Sequence, residues 1–306
     1  MDGSGGGSTG PPVHGRLGAL WYTARPKQWT KNVLVLAAPG AAGVLTHGDA
    51  LLRTLAAAVL FCAVSSGTYF VNDALDVEAD REHPSKRHRP VAAGSLSVAT
   101  ALTVGLILMG AAIGLAALLR YQLSVVLAVY VALQLSYSFY LKHQPVFDLA
   151  AVAGGFVLRA IAGAVAVPVP VSEWFLIVAT FGSLLMVTGK RLAEHRELGE
   201  SRGAHRTTLD SYTTTFLWVV VAVSASAAVL GYCLWAFNLQ TAELHHHDAI
   251  WFQLSIVPVL VALLYFTYLI DQGHGSKPEE LVLANRPLQV LGGAWLVLFA
   301  LGVYVG

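Results

Sequence analysis

The sequence feature that most constrains the fold is a succession of apolar segments, each about as long as a bilayer is thick. A helix needs about 20 mostly apolar residues to cross the hydrocarbon core of a membrane. Because a chain in lipid must satisfy its own backbone hydrogen bonds, each segment is predicted to be an α-helix. The first segment is the least regular, since Pro39 and Gly40 interrupt it. The nine segments lie at 28–47, 51–73, 96–119, 121–141, 145–167, 171–189, 212–237, 249–270 and 287–306.

The composition agrees with a membrane protein. Only 12% of the residues are charged, about half of the roughly 25% that is usual in soluble domains. The basic residues are few and segregated, so no nucleic-acid partner is expected. Cys62 and Cys233 both lie in apolar segments and are expected to be buried thiols. Residues 1–20 begin with a Gly/Ser-rich stretch and are interpreted as a disordered or vector-derived tail, which leaves 21–306 as the transmembrane domain.

The distribution of cations predicts the orientation of the chain. If the N-terminus is cytoplasmic, 16 of the 19 Lys and Arg residues lie on the cytoplasmic side. Arg53 and Arg120 fall outside, and Arg159 falls within a span. Nine spans then place the C-terminus outside, and the charged loops meet on one cytoplasmic face. The predicted fold is an all-α polytopic membrane protein, with nine transmembrane helices in a bundle around a cytoplasm-facing polar cavity.

Acidic residues are concentrated at the cytoplasmic end of the second segment, in the stretch VNDALDVEADREHPSKRHRP at 71–90. At about 100° per residue, Asn72, Asp73, Asp76 and Asp80 fall within an arc of roughly 100° on one helical face. Three carboxylates so close together repel one another unless a cation lies among them. Mg²⁺ prefers such oxygen ligands and completes its shell with water and substrate phosphate. The spacing therefore predicts that these four residues bind Mg²⁺, with the three aspartates as catalytic residues.

A basic stretch follows directly, and Lys86, Arg87 and Arg89 are suited to binding phosphate oxygens. An ordinary solvated helix end, followed by a positive-inside loop, is the alternative interpretation. It explains the cations but not three aspartates on one face. The whole stretch is therefore interpreted as a magnesium–diphosphate site.

The motif NDALDVEAD resembles the N-D-x-x-D-x-x-x-D signature of the UbiA superfamily of intramembrane prenyltransferases. Within that superfamily, the chain is most similar to the actinobacterial decaprenyl-phosphate phosphoribosyltransferases. The resemblance covers nearly the whole chain after residue 20. It is carried by RPKQWTKNVLVLAAP (25–39), VNDALDVEADREHPSKRHRPVAAG (71–94), LKHQ (141–144), RAIAG (159–163) and WFLIVATFGSLLMVTGKRLAE (174–194), and more loosely by LQVLGGAW (288–295).

One departure from the superfamily pattern points to the phosphoribosyl branch. Typical members carry a second D-x-x-x-D motif, whereas this chain has Asp148 followed by Val152. The resemblance then implies transfer of 5-phosphoribose from phosphoribosyl pyrophosphate to decaprenyl phosphate, with release of pyrophosphate. It places this reaction in the cell membrane, on the pathway to the arabinan of the cell wall. The implied cofactor is Mg²⁺, the implied partners are the donor and the polyprenyl phosphate lipid, and a homo-oligomer is left open.

A second phosphate-binding surface is expected after the fourth segment and at the end of the sixth. Asp148 could orient a cation, bind metal or contact ribose hydroxyls, and the sequence does not choose among these roles. For Lys190 and Arg191, the alternative is an interfacial pair that snorkels to the headgroups. The residues of this surface are Tyr137, Tyr140, Lys142, Asp148, Lys190 and Arg191.

Two further cations are candidates for substrate binding. Lys31 lies beside Trp29, which is typical either of a membrane anchor or of the mouth of a site. Arg159 lies eleven residues beyond Asp148, about 16 Å deeper along a helix. An intramembrane Arg faces the bundle interior, where it is either functional or a structural bridge.

Two alternative functions are also compatible with the sequence. A conventional prenyltransferase, moving a polyprenyl group from its diphosphate to an aromatic acceptor, uses the same first motif. A lipid transporter would place polar groups near the bilayer midplane, often within inverted repeats. Here only Arg159 is deep and no internal repeat is evident, so transport is the weaker alternative.

Overall fold

A computed structural model describes residues 15–197, 207–238, 246–274 and 278–304, and the regular elements in these ranges are all helical. Eight helical segments in this part of the chain are long and apolar enough to span a membrane. The α-helices in chain order are α1 Arg16–Ala24, α2 Ala37–Ala41, α3 Gly48–Leu75, α4 Val77–Glu82, α5 Val98–Leu119, α6 Tyr121–Phe139, α7 Phe147–Ala166, α8 Glu173–Glu197, α9 Thr207–Asp210, α10 Thr214–Asn238, α11 His246–Leu254, α12 Ile256–Asp271, α13 Pro278–Ala284 and α14 Arg286–Tyr304. The all-helical fold and the membrane-spanning helices are as predicted.

The first predicted span, 28–47, does not form a continuous α-helix, so the count of nine membrane helices is not confirmed. A 3₁₀-helix, Pro26–Leu36, occupies most of it and is followed by the short α2. Side chains at i and i+3 eclipse in a 3₁₀-helix, and burial follows that period. Lys27, Thr30 and Val33 are exposed, whereas Asn32 and Val35 are buried.

The 3₁₀-helix runs antiparallel to α3 along much of its length. The Trp29 indole donates a hydrogen bond to Ser66 Oγ at 3.0 Å, and the Asn32 amide donates to Cys62 Sγ at 3.1 Å. At about 2.0 Å per residue the 3₁₀-helix is roughly 22 Å long, and the five residues of α2 add about 7.5 Å. The combined length of about 30 Å equals the thickness of a hydrocarbon core.

Close backbone approach joins α3 to α5. A Cβ atom on Gly67 would lie 2.8 Å from the Gly105 carbonyl oxygen and 2.7 Å from Met109 Cγ. Small residues at such crossings let membrane helices pack by van der Waals contact where lipid supplies no hydrophobic driving force. Around this crossing, α3, α5 and α6 bury an apolar cluster that includes Phe61 and Tyr130.

A second apolar cluster holds α7, α8, α10 and α12 together, and it includes Leu185, Leu217 and Ile270. At one end of this cluster, Arg196 on α8 lies 3.1 Å from Asp271 Oδ1 and also donates to the Asp271 carbonyl oxygen. This tie holds the end of α8 beside the end of α12.

The N-terminal boundary lies earlier than the tail of 1–20 implies. Helix α1 begins at Arg16, and Ala19 is buried in a cluster with Phe70 and Ala74 near the C-terminal end of α3. The folded part therefore includes residues 16–20, and residues 1–14 lie outside the described part of the chain.

Candidate functional site

The predicted metal-binding residues lie where α3 gives way to α4. Asn72 and Asp73 belong to the last turn of α3, Asp76 joins the two helices, and Asp80 lies in α4. The backbone N–H of Asp76 still donates to Asn72 O at 2.9 Å, and that of Asp80 donates to Asp76 O at 2.8 Å. These helical bonds across the junction keep the four side chains on one side of the chain.

Asp73 and Asp80 form a buried pair bridged by arginine. Their side chains are 2% and 4% exposed, and Arg89 Nη1 lies 3.2 Å from Asp73 Oδ1 and 2.7 Å from Asp80 Oδ2. Arg25 Nη2 approaches Asp73 Oδ1 at 2.6 Å. Buried carboxylates need such partners, because an isolated charge in a low-dielectric interior is strongly unfavourable.

Asp76 and Asn72 form a second pair, which faces α6 and the turn after it. Lys142 Nζ lies 2.7 Å from Asp76 Oδ1, and the Asn72 amide donates to Asp76 Oδ2 at 3.2 Å. The Ser138 hydroxyl donates to Asn72 Oδ1 at 2.9 Å. Lys142 and Ser138 thus join the acidic motif to the second predicted surface, 66 residues further along the chain.

The four residues of the acidic cluster form two pairs of possible oxygen ligands for a hard cation. They do not surround a single position. In the described part of the chain, no three acidic, histidine or cysteine side chains converge on a single position suitable for a metal ion. Mg²⁺, however, typically takes one or two protein carboxylates and completes its octahedron with water and substrate phosphates. Asp73 with Asp80, or Asp76 with Asn72, supplies that number of ligands.

The second surface is organised around Asp148, which is fully buried in the first turn of α7. The Tyr212 hydroxyl donates to Asp148 Oδ1, and Arg191 Nε lies 3.5 Å from Asp148 Oδ2. Arg191 also donates to Glu194 at 2.7 Å, and Lys190 Nζ lies 3.8 Å from the same carboxylate. Asp148 is predicted to orient a cation, to bind metal or to contact ribose hydroxyls. The contact with Arg191 matches the first of these roles.

Burial and the hydrogen bond to Asp148 raise the pKa of the Tyr212 hydroxyl above its ordinary value of about 10. Tyr212 therefore stays protonated at neutral pH and remains a hydrogen-bond donor to the carboxylate.

The remaining predicted substrate-binding residues are placed less tightly. Lys86 is half-buried and Arg87 is exposed, both in a short 3₁₀ turn after α4. Tyr137 lies near enough to Arg191 for an electrostatic interaction, whereas Tyr140 is exposed.

The nearby cavity of about 510 Å³ is lined by apolar residues between α6, α7, α8 and α10. It does not contain the acidic cluster, so the expected polar cavity is not confirmed.

Arg159 lies away from the acidic cluster, in a buried structural network. Its guanidinium donates to Asn32 Oδ1 at 2.8 Å, to the Gly155 carbonyl at 2.7 Å and to the Tyr130 hydroxyl at 3.0 Å. The same guanidinium lies 5.4 Å from the centre of the Phe156 ring, and Lys31 Nζ lies 6.0 Å from that ring. Arg159 is predicted to be either functional or a structural bridge, and these contacts are those of a structural bridge.

Four residues contribute to the site although the motifs did not identify them as site residues. Arg25, Ser138 and Tyr212 contact their acidic or amide partners across 48, 66 and 64 residues of sequence, and Glu194 pairs with Arg191. The cluster of cations around Trp29 was a usable signal for Arg25. Nothing local distinguishes Ser138 or Tyr212, because the packing of α6 on α3 brings Asn72 to Ser138, and the packing of α7 against α10 brings Asp148 to Tyr212.

The fold and the site together define a class of protein: an all-helical membrane protein with paired carboxylates and cations gathered at one end of its bundle. The family model described as the UbiA prenyltransferase family matches residues 18–286. The chain belongs to this family and is thus a transferase.

Curated relatives share the sequence over most of its length. The decaprenyl-phosphate phosphoribosyltransferase of Corynebacterium glutamicum is 48% identical over 287 residues, which cover 92% of this chain and 85% of that protein. The protein of the same name from Mycolicibacterium smegmatis is 43% identical over 306 residues, with 97% and 96% of the two chains covered.

Solved structures share the fold at low sequence identity. A UbiA homolog from Archaeoglobus fulgidus, bound to GPP and Mg²⁺, matches with a TM-score of 0.67 and 18% identity over 94% of this chain and 99% of that one. A structure of digeranylgeranylglyceryl phosphate synthase matches with a TM-score of 0.66 and 15% identity, over 95% and 99% of the two chains. At this identity the likeness supports the fold alone.

Proposed function

We propose that the chain transfers 5-phosphoribose from phosphoribosyl pyrophosphate to decaprenyl phosphate and releases pyrophosphate. The observation that carries this proposal is the Asp76–Lys142 ion pair, which joins an acidic, metal-type cluster to a second cationic surface. Two surfaces that handle anions, side by side at one end of a membrane bundle, suit a reaction between two phosphorylated substrates. The names of the curated relatives support this choice of substrates.

The acidic cluster with its arginines is proposed to hold the diphosphate of the donor. Pyrophosphate leaves the anomeric carbon with growing negative charge, which cations placed in advance stabilise. Asp73 with Asp80, or Asp76 with Asn72, would hold Mg²⁺, and the ion would supply Lewis-acid stabilisation of that charge. Arg89 already reaches two of the carboxylates and is near enough to exchange one of them for a phosphate oxygen.

The second surface is proposed to hold the phosphate of the lipid acceptor. Lys142, Lys190 and Arg191 supply positive charge there, and Glu194 keeps the last two together. A phosphate monoester has a second pKa of about 6 and is largely ionised at neutral pH. Its oxygen can therefore attack the anomeric carbon without a strong general base, and no catalytic dyad is required.

The proposed location is the cell membrane, with the N-terminus and the site cytoplasmic and the C-terminus external. The excess of Lys and Arg on that side supports this orientation. The length of the 26–41 segment, about 30 Å, supports a ninth crossing made by a 3₁₀-helix and α2. The proposed arabinan-precursor role follows from the product, a lipid-linked phosphoribose.

A donor comparison with the purified full chain in lipid nanodiscs tests the reaction. Pyrophosphate release is measured with Mg²⁺ and either phosphoribosyl pyrophosphate plus decaprenyl phosphate, or a polyprenyl diphosphate plus an aromatic acceptor. Release in the first mixture and not in the second is expected. Release only in the second would establish the conventional prenyltransferase reaction instead.

Substitution of the acidic cluster tests the site. Asp76→Asn and Asp80→Asn are each expected to lower turnover at least 100-fold, without loss of the folded protein. Asp49→Asn is the matched control, because Asp49 is an exposed aspartate that pairs with Arg53 in the first turn of α3, at the opposite end of that helix from Asp76. Turnover that persists in both Asp76→Asn and Asp80→Asn would refute the metal assignment.

A further inference from the structure

Tyr212 joins three helices at the edge of the second surface. It lies between α9 and α10 and is 4% exposed. Its hydroxyl donates to Asp148 Oδ1 and accepts a hydrogen bond from the backbone N–H of Val146 at 2.7 Å. Its carbonyl oxygen lies 2.9 Å from His195 Nε2 on α8, and its ring stacks on Phe216 of α10 at 5.7 Å. The side chain of Tyr212 thus connects the start of α7 with the start of α10, and its backbone carbonyl contacts the end of α8.

The backbone at Val146 is strained. Its φ of 71° lies in the left-handed region, where a β-branched residue is a rare outlier. Such conformations persist only where the surroundings impose them, and they concentrate at functional sites. The hydrogen bond from Val146 N–H to the Tyr212 hydroxyl is one such restraint, on the residue that immediately precedes α7.

The second contact of the hydroxyl fixes a carboxylate. Asp148 is fully buried, so its orientation is set by its protein partners. With Tyr212 bound to Oδ1, the other oxygen lies 3.5 Å from Arg191 Nε, an ion-pair distance without a hydrogen bond, and the Arg191 side chain is 5% exposed. Arg191 in turn donates to Glu194, which also lies near Lys190. A chain of contacts therefore runs from the Tyr212 hydroxyl to the two cations of the second surface.

We propose that Tyr212 is a positioning residue, which sets the site for the phosphate of the lipid acceptor by holding Asp148 and, through it, Arg191. The inference rests on the proposed function and deepens it, since it assigns the two substrates to different halves of the site. Tyr212 itself touches neither substrate. Loss of its hydroxyl should therefore affect the acceptor and leave the donor nearly unchanged.

The direct test is Tyr212→Phe in the full chain, with KM and kcat measured for both substrates in nanodiscs. The KM for decaprenyl phosphate is expected to rise about tenfold, which corresponds to about 1.4 kcal/mol, while the KM for phosphoribosyl pyrophosphate stays within about twofold. Tyr232→Phe is the matched control. Tyr232 is also a buried tyrosine with two hydroxyl contacts, Ser255 and Trp295, but it lies on α10 away from the site. It should lower thermal stability and leave both KM values unchanged.

A double-mutant cycle tests whether Tyr212 acts through Asp148. Asp148→Asn alone should also raise the KM for the lipid selectively, and adding Tyr212→Phe should then change it less than about twofold. Additive effects of the two substitutions would overturn the proposal.

Val146→Gly distinguishes the effect of the Tyr212 hydroxyl on Val146 from its effect on Asp148. Glycine adopts a positive φ without strain, so Tyr212→Phe combined with Val146→Gly should recover thermal stability while the KM for the lipid stays high. This pair also replaces Tyr212→Phe if the single variant does not fold. If neither folds, Asp148→Asn decides the matter, because an unchanged KM for the lipid in that variant overturns the proposal.

Equal rises in both KM values, or none, would show that Tyr212 is merely structural. Absence of turnover of these two substrates by the unsubstituted protein would instead refute the proposed function. The two failures are therefore distinguishable.

Discussion

Gly163 on α7 is the position where a single added methyl group should do the most damage. A Cβ atom there would lie 1.7 Å from the Val35 carbonyl oxygen and 3.1 Å from Pro39 Cδ. Ordinary contact begins at 3.4 Å, so the 3₁₀-helix would have to move about 1.7 Å away from α7. A shift of that size lengthens the 2.8 Å bond from Arg159 to Asn32 beyond hydrogen-bonding distance.

The expected cost of Gly163→Ala follows from these two effects. Overpacking of a tight interface costs about 1–3 kcal/mol, and loss of a hydrogen bond to a charged group costs about 1.5–3 kcal/mol. The free energy of unfolding should therefore fall by roughly 2.5–6 kcal/mol. For a chain of this size, that corresponds to a drop in Tm of at least about 4 °C.

Thermal unfolding of the detergent-purified protein, followed by tryptophan fluorescence, measures this effect. Gly114→Ala on α5 is the matched control, because a Cβ at that glycine meets nothing within 4 Å. It should leave Tm unchanged. If Gly163→Ala melted within about 1 °C of Gly114→Ala, the close packing of the 3₁₀-helix on α7 would be wrong.

Three further predictions concern the charged residues and the pH dependence. In Arg159→Lys the charge is kept, but the lysine cannot reach the three acceptors of the guanidinium at once. The free energy of unfolding should therefore fall by about 2–4 kcal/mol in the same assay. An unchanged Tm would show that the charge alone suffices. Lys142→Gln removes the ion pair between the two halves of the site and should lower turnover about 100-fold with little change in Tm, whereas retained turnover would exclude Lys142 from the site. Because its pKa is raised in the folded protein, Tyr212 stabilises the fold fully below pH 10 and loses this contribution as pH rises towards the folded pKa. The Tm difference between the unsubstituted protein and Tyr212→Phe should therefore become smaller between about pH 9 and pH 11. A constant difference would contradict the raised pKa of the Tyr212 hydroxyl in the folded protein.

The membrane helices were largely predictable from the sequence, because lipid imposes one simple requirement on each segment. Eight of the nine apolar stretches therefore correspond to helices of spanning length in the described part of the chain, and the all-helical class followed. The segment 26–41 was not predictable in detail. Hydropathy is insensitive to the type of helix, and the three-residue period of burial at Asn32 and Val35 depends on contacts with α3 and α7.

The first half of the candidate site was more accessible to sequence reasoning than the second. Asp73, Asp76 and Asp80 lie within eight residues, so helical geometry alone places them on one face. The contacts of Asp148 instead involve Tyr212 and Arg191, which are 64 and 43 residues away in the chain. No local pattern encodes such contacts, because they arise only when α7, α8 and α10 pack together.

The 3₁₀-helix of residues 26–36 sets the distance between two contacts on α3. Between Arg25 and Asn32 it advances about 14 Å, whereas an α-helix would advance only about 10.5 Å. The partners of these two residues on α3, Asp73 and Cys62, are eleven residues and about 16.5 Å apart along that helix. Seven residues in the 3₁₀-helix fall only about 2.5 Å short of this separation, which the Arg25 side chain can cover, whereas in an α-helix they would fall about 6 Å short. Arg25 could then not stay beside Asp73 while Asn32 stays beside Cys62 and Arg159, so the pitch of one helix determines whether the membrane interior and the acidic cluster are linked.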